Sequence, residues 1–326
     1  MKAIRAMEAG GPEVLRFEDV LTPEPREGEA LVRIEAAGVN FIDVYFRTGQ
    51  YKAPYPMTLG AEGAGTVEAV GPGTESVGVG VRPGDRVASV NFSGSYAEYA
   101  IARVDRLVAV PDGVTTRQAG AALLQGMTAQ YLTRSTYPLR EGDACLVHAA
   151  AGGVGLLLCQ MARRIGARVI GTAGSPEKAE LARRAGAHEV IEYRKQSFAD
   201  EVKRMTGGRG VQVVYDSVGK DTFAGSLDSL ALRGTLALFG QSSGKVEPLD
   251  PQILNQKGSL YLTRPTLFHY VARREELVER SNEVLGAIGR GDLDVKVFRE
   301  FPLAEAAQAH RLLEARKTTG KLLLIP

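Results

Sequence analysis

The stretch with the clearest chemistry is Ala144-Cys145-Leu146-Val147-His148-Ala149-Ala150-Ala151-Gly152-Gly153-Val154-Gly155, an apolar run ending in a turn of small residues. A phosphate can reach backbone N–H groups only where no larger side chain holds it off. The positive end of a following helix then favours its negative charge. Gly152, Gly153 and Val154 are therefore candidate pyrophosphate contacts. Gly155 would let a helix over Leu156 to Ile165 pack tightly on the strand. The match to Gly-x-Gly-x-x-Gly is incomplete, because Ala150 stands at the first glycine. A merely tight strand-to-helix turn is the plainer reading, and the strands that follow favour the dinucleotide.

The next strand bears on which dinucleotide. An NAD site places an acid at this strand's end, hydrogen-bonded to the ribose 2′-hydroxyl. Here Gly171 and Thr172 lead to Ala173 in the acid's place, 18 residues after Gly155, followed by Gly174, Ser175 and Lys178. A hydroxyl, a helix N-terminus and an ammonium suit a 2′-phosphate. The expected cofactor is NADPH, although Lys178 alone reads equally as a solvated helix residue.

The elements that must position these groups change character near residue 125. Before it, Leu31 to Glu35, Thr66 to Val70 and Arg86 to Val90 read as strands bounded by Gly or Pro, and Ser95 to Val110 as one or two more. Thr115 and Gln118 have capping-box spacing and open an Ala-rich helix. Buried-type strands then alternate with amphipathic helices: Ala144 to His148, Arg168 to Thr172, Glu189 to Tyr193, Val211 to Tyr215, Thr235 to Phe239 and Ser259 to Thr263. Ser175-Pro176 and Ser197 are cap signals for two of the helices. This predicts an α/β chain: a Rossmann-type, doubly wound, parallel six-stranded sheet plus a mainly antiparallel β domain. A helix near 272–290, a strand near Val295 to Arg299, a helix from Leu303 to Arg316 and the tail Leu322 to Ile325 follow. They are expected to complete the first domain, giving 1–125 plus 265–326 and 126–264.

The bulk numbers set limits. At 326 residues two domains are the natural prior. Forty Lys and Arg against 38 Asp and Glu leave a net charge of +2, which offers nothing to nucleic acid or an anionic membrane. No apolar run is long enough to span a bilayer, and the N-terminus lacks a signal-type core, so a cytoplasmic protein is expected. The two cysteines read as buried hydrophobes in a reducing compartment.

With these pieces in hand, the sequence resembles the medium-chain dehydrogenase/reductase superfamily, in its NADPH:quinone oxidoreductase (zeta-crystallin-like) branch. The markers are Gly38-Val39-Asn40-Phe41-Ile42-Asp43, Gly60-Ala61-Glu62-Gly63-Ala64-Gly65, Gly84-Asp85-Arg86-Val87, His148 through Gly155, Val214-Tyr215-Asp216-Ser217-Val218-Gly219 and Phe239-Gly240-Gln241-Ser242-Ser243-Gly244. The resemblance implies a GroES-like catalytic domain and reduction of quinones in a cleft between the domains. Where the zinc-dependent alcohol dehydrogenases place a cysteine and a histidine, this chain has Asn40 and Ala61, and its four histidines share no ligand spacing, so no metal is expected. An electron-poor quinone needs less Lewis-acid help.

The resemblance further implies catalytic roles for Asn40, Tyr45 and Tyr51 and cofactor contacts at Asn40, Ile42, Thr128, Tyr193, Ser217, Phe239, Gly240, Ser242 and Arg316, with Arg264 a further candidate. It also implies a homodimer through strand-like residues near 252–263 at the sheet edge. Two other readings stay open. One is reduction of an activated carbon–carbon double bond, in an enone or enoyl thioester. The other is a cofactor-binding protein without important turnover.

Overall fold

The computed structural model describes residues 1–74 and 78–326, which divide into two compact units, Met1–Gln125 with Val271–Pro326, and Gly126–Tyr270. The N-terminal part of the first unit holds β1 (Lys2–Ala6), β2 (Leu15–Asp19), β3 (Glu29–Val39), α1 (Phe41–Arg47), β4 (Met57–Thr58), β5 (Glu62–Val70), β6 (Arg86–Ser89), β7 (Tyr99–Arg103) and β8 (Val108–Ala109). The chain passes to the second unit inside α2 (Thr116–Tyr131). As the Thr115/Gln118 spacing predicts, the Gln118 N–H donates to Thr115 Oγ1 at 3.1 Å and the Thr115 N–H to Gln118 Oε1 at 2.9 Å.

The second unit alternates β9 (Ala144–Val147), α3 (Gly153–Ile165), β10 (Arg168–Ala173), α4 (Pro176–Arg184), β11 (Glu189–Glu192), α5 (Phe198–Met205), β12 (Val211–Asp216), α6 (Phe223–Asp228), β13 (Leu230–Leu238), α7 (Gln252–Gln256), β14 (Tyr261–Thr263) and α8 (Leu267–Tyr270). Its strands pair in the order β11-β10-β9-β12-β13-β14, every neighbour parallel. The order reverses between β9 and β12, the place where open α/β sheets bind ligands. Ser175 Oγ accepts the Lys178 N–H at the start of α4, and Ser197 does the same for Asp200 at α5. Leu146, Ile170, Ile191, Val214 and Leu236 form the buried centre of the sheet.

The C-terminal segment, α9 (Arg274–Gly289), β15 (Val297–Pro302), α10 (Ala306–Glu314) and β16 (Lys321–Ile325), returns to the first unit. There β16 pairs antiparallel with β3, Leu322 facing Val39 and Leu323 facing Gly38. One sheet of this unit runs β15-β16-β3-β5-β6-β8 with β7 also on β3, and a smaller one runs β2-β1-β4.

The structure corrects two local expectations. Residues 252–256 are helical rather than strand-like, because the Asp250 carboxylate accepts the Gln252 N–H at 2.9 Å and starts a helix. Edge strand β14 is thereby only three residues long. Strand β13 begins five residues before Thr235, with a kink at Arg233, whose φ is 58°. The aromatic segment after Asn40, to which the sequence pattern assigns no element, is the helix α1.

Gly155 carries the fold's tightest requirement near the phosphate turn: a Cβ there would collide with the Ala149 carbonyl oxygen and lie 2.9 Å from Ala150 backbone carbon. Gly155→Ala should force β9 and α3 apart and weaken NADPH binding by about tenfold or more. Fluorescence titration checks this, and wild-type affinity in the variant would contradict it.

Candidate functional site

The second unit's candidate site forms where β9, β10, β12 and β13 end. Gly152 is the N-cap of α3, with extended backbone (φ −77°, ψ 171°), so the first N–H groups of a 13-residue helix point out of the turn. The preceding Ala149 has φ 49° and its carbonyl accepts the Gly152 N–H at 2.8 Å, which closes the turn. Beneath it, Gly171 leaves room for Ala150: an added Cβ would lie 2.8 Å from the Ala150 methyl.

A buried polar chain not foreseen from sequence braces this turn. His148 follows β9 directly; its Nδ1 lies 3.1 Å from Thr172 Oγ1 and its Nε2 3.0 Å from Ser226 Oγ. The Ser226 hydroxyl donates to Asp216 Oδ2 at 2.8 Å, so Nε2 must donate to it and Nδ1 must accept from Thr172. Thr172 Oγ1 in turn accepts the Ala149 N–H at 3.3 Å. Burial pushes the His148 pKa down, against the pull of Asp216, in keeping with a neutral ring. Asp216 Oδ1 accepts the N–H groups of Val218 and Gly219 at 2.8 and 3.1 Å. The phosphate turn and the loop carrying Ser217 are thus linked through one imidazole. Sequence pattern shows that His148 is in an apolar run, but not that two hydroxyls from distant segments meet it.

Phe239 and Gly240 both donate N–H groups to the Asp216 carbonyl, and the Ser242 N–H reaches Ser217 O at 3.2 Å. This brings Ser217, Phe239, Gly240 and Ser242 together. At the end of β10, Ala173 is buried, and Gly174 gives way to Tyr193, whose hydroxyl would lie 2.8 Å from an added Cβ. Lys178 is half-buried, and its ammonium pKa is lowered first by burial and then by Arg194. Arg194 joins Ser175, Lys178 and Tyr193 as a second cation that the sequence reading passed over. Its signal was its place, one residue past Tyr193. Thr128 is buried within the second unit, and Arg264 is exposed.

In the first unit, Tyr45 is buried on α1 and its ring centroid lies 5.3 Å from that of Tyr51, which is 36% exposed. The Tyr51 N–H donates to Tyr45 O at 3.0 Å, and Phe46 meets Tyr51 edge-on. Ile42 is half-buried on the same helix, and Arg316 has φ 55°. Asn40 is buried and fully engaged: Nδ2 donates to Glu62 Oε2 at 2.8 Å and Gly38 O at 3.2 Å, while Oδ1 accepts from Lys321 at 2.7 Å. Its backbone N–H donates to Asp43 Oδ2, which also accepts the Tyr96 hydroxyl at 3.0 Å.

Behind Tyr96 lies His310, whose Nδ1 accepts from Arg47 at 3.0 Å and whose Nε2 is 3.2 Å from the Tyr96 oxygen. An arginine only donates, so this imidazole is neutral with its proton on Nε2. Burial, helped by Arg47, lowers the His310 pKa to about 3, and burial raises that of Asp43 to about 6.

Fold and phosphate turn together define a dinucleotide-binding α/β protein. Comparison with known proteins narrows this. Residues 26–112 match the alcohol dehydrogenase GroES-like domain and 153–281 the zinc-binding dehydrogenase domain. A quinone oxidoreductase of Pseudomonas aeruginosa is 49% identical over 100% of this chain and 99% of its own. The Escherichia coli quinone oxidoreductase complexed with NADPH superposes with a TM-score of 0.97 at 44% identity, covering all of both chains. A 2-haloacrylate reductase from Burkholderia is 41% identical over 97% of this chain and 96% of its own. The chain belongs to the quinone oxidoreductase family.

The domain description implies zinc, and the residues present do not fit it. Asn40 and Ala61 supply neither thiolate nor imidazole, and the Asn40 and Glu62 oxygens already hold the Lys321 ammonium. Among the described residues no group of three or more His, Cys, Asp or Glu is placed to hold a metal.

His310 and Asp43 predict an opposed response to acid. An unfolded histidine takes up a proton below pH 6.5 while the buried ring resists until about 3, so acidification removes stability, by about 3 kcal/mol at pH 4. Asp43, protonated more readily folded than unfolded, acts in the other direction between about 6 and 3.8, by about 2 kcal/mol. Asp43→Asn should therefore steepen the loss of stability between pH 6.5 and 4, and His310→Gln should abolish it. Urea denaturation across that range reads both, and unchanged pH slopes would contradict the assignment.

Proposed function

We propose that this protein reduces quinones with NADPH and without a metal. The observation that carries the reading is full-length likeness to quinone oxidoreductases, at up to 49% identity among the relatives described, joined to a β10 end that offers cations in place of an acid. NADPH supplies the reducing equivalents as hydride. The chain's own residues bind and orient. The N-terminus of α3, with Gly152, Gly153 and Val154, receives the pyrophosphate. Ser175, Lys178 and Arg194 receive the 2′-phosphate, with Gly171, Thr172 and Gly174 at the end of β10 completing this part of the cofactor set and Tyr193 beside the adenine. Ser217, Phe239, Gly240, Ser242 and Thr128 line the way toward the nicotinamide, and Asn40, Ile42 and Arg316 complete the cofactor set.

Tyr45 and Tyr51 are the residues proposed to meet the acceptor: their rings suit a planar quinone, and a tyrosine hydroxyl can donate to its oxygen as negative charge develops. Asn40 acts with them from the start of α1. The domain roles follow, 126–264 binding NADPH and 1–125 with 265–326 holding the acceptor. The absence of a metal is supported by the ammonium on the Asn40 and Glu62 oxygens.

A homodimer through the edge near 252–263 belongs to the same reading, supported by the exposure of Tyr261 on β14 and of Leu232. A cytoplasmic setting is supported by two buried, unpaired cysteines. No helix among the described residues is long and apolar enough to cross a membrane, and the balanced charge favours neither lipid nor nucleic acid. The 2-haloacrylate reductase relative supports a second reading, reduction of an activated double bond.

Oxidation of NADPH and NADH by 1,4-quinones, ortho-quinones and enals separates these readings. Quinones with NADPH should turn over fastest, and Lys178→Glu should raise the KM for NADPH by about tenfold or more while sparing that for NADH. A wild-type preference for NADH would overturn the cofactor assignment, and turnover of enals alone would favour the second reading.

A further inference from the structure

Lys321 has so far no part in the reaction itself, yet it is a fully buried cation beside Asn40. Its side chain and that of Glu62 are both 0% exposed. The β3–β16 ladder puts it there: Leu322 faces Val39, so the next step along brings Lys321 to Asn40. An ammonium taken out of water costs several kcal/mol unless each of its hydrogens finds a partner. Two of its partners are Asn40 Oδ1 and Glu62 Oε2. Glu62 is in turn held by the Leu124 N–H on Oε1 at 2.7 Å and by Asn40 Nδ2 on Oε2. The space is cut to this lysine, since a Cβ on Gly38 would sit 2.7 Å from Lys321 Cε and collide with Glu62.

We propose that Lys321 is the resident cation of this site and a positioning residue for quinone reduction, fixing the Asn40 amide and, through it, the helix that carries Tyr45. Lysine only donates, so it compels Asn40 Oδ1 to face it and turns Nδ2 toward Glu62 and Gly38. Asn40 begins α1, and its N–H is held by Asp43 on the first turn. At the other end of α1, Arg47 makes a two-pronged pair with Glu314 at 2.8 and 2.9 Å. The helix is thus pinned at both ends by charges, and Lys321 is the pin at the end where Asn40 lies. The ammonium sits on the Asn40 and Glu62 oxygens, beside the position where zinc-dependent enzymes would place a thiolate, and it comes with the chain.

The proposal rests on the quinone-reductase reading. If wild-type protein oxidises NADPH with no acceptor in the panel, that reading fails and takes this one with it; the variants below test Lys321 alone. Lys321→Met keeps length and removes charge. Its kcat with the best wild-type acceptor should fall at least about tenfold while the Kd for NADPH, measured by fluorescence, stays within about twofold. Because this variant leaves Glu62 buried and unpaired, Lys321→Met with Glu62→Gln is the control for folding: a neutral pair restores stability. The double variant should melt close to the wild type yet keep the low kcat. Lys321→Met with kcat within about twofold of wild type, or a double variant with both stability and kcat restored, would overturn the proposal.

Discussion

The first unit is organised around charges that cannot be left alone in its interior. Lys321, Glu62, Asn40, Asp43, Tyr96, His310 and Arg47 form one connected run of hydrogen bonds, each member satisfying the next, from a strand at the end of the chain to a helix near its start. Removing one member strands its neighbours without water, which costs far more than any single bond contributes. This is why a polar network can hold α1, and with it Tyr45, in one place. It also explains why the tail must return: β16 delivers Lys321 and α10 delivers His310 and Glu314.

The second unit meets the same constraint more economically. Its phosphate turn needs small residues on the outside, for the ligand, and a rigid support on the inside. His148 provides the support as a neutral ring accepting one hydroxyl and donating to another, tying three strands' ends together. A charged imidazole there would have two donors and one acceptor too few, so burial and bonding pattern agree.

Much of this was legible in the residues. The alternation of buried strands and amphipathic helices reports a 3.6-to-2 change of period that only a parallel sheet satisfies, and Ser175 and Ser197 mark helix starts because their side chains can do little else there. The absence of an acid at Ala173 was equally plain. What could not be read were meetings between residues far apart in sequence. Nothing in Lys321, four residues from an apolar strand's end, announces a partner 281 positions away in Asn40. Arg194 acts on Lys178 only once the fold has brought the residues after β11 to the start of α4. The segment at 252–256 failed for a local reason, since apolar residues over so short a run fit helix and strand alike and Asp250 decides between them.

We propose one chemical idea for the two units: a cation-lined site for the 2′-phosphate, and an acceptor site whose own positive charge is a lysine rather than a metal. The most direct measurement is NADPH oxidation by a 1,4-quinone after exhaustive dialysis against a chelator, with metal content determined on the same sample. Full turnover by protein holding far less than one equivalent of metal is the predicted result. Activity lost on dialysis and restored by added zinc would contradict the account.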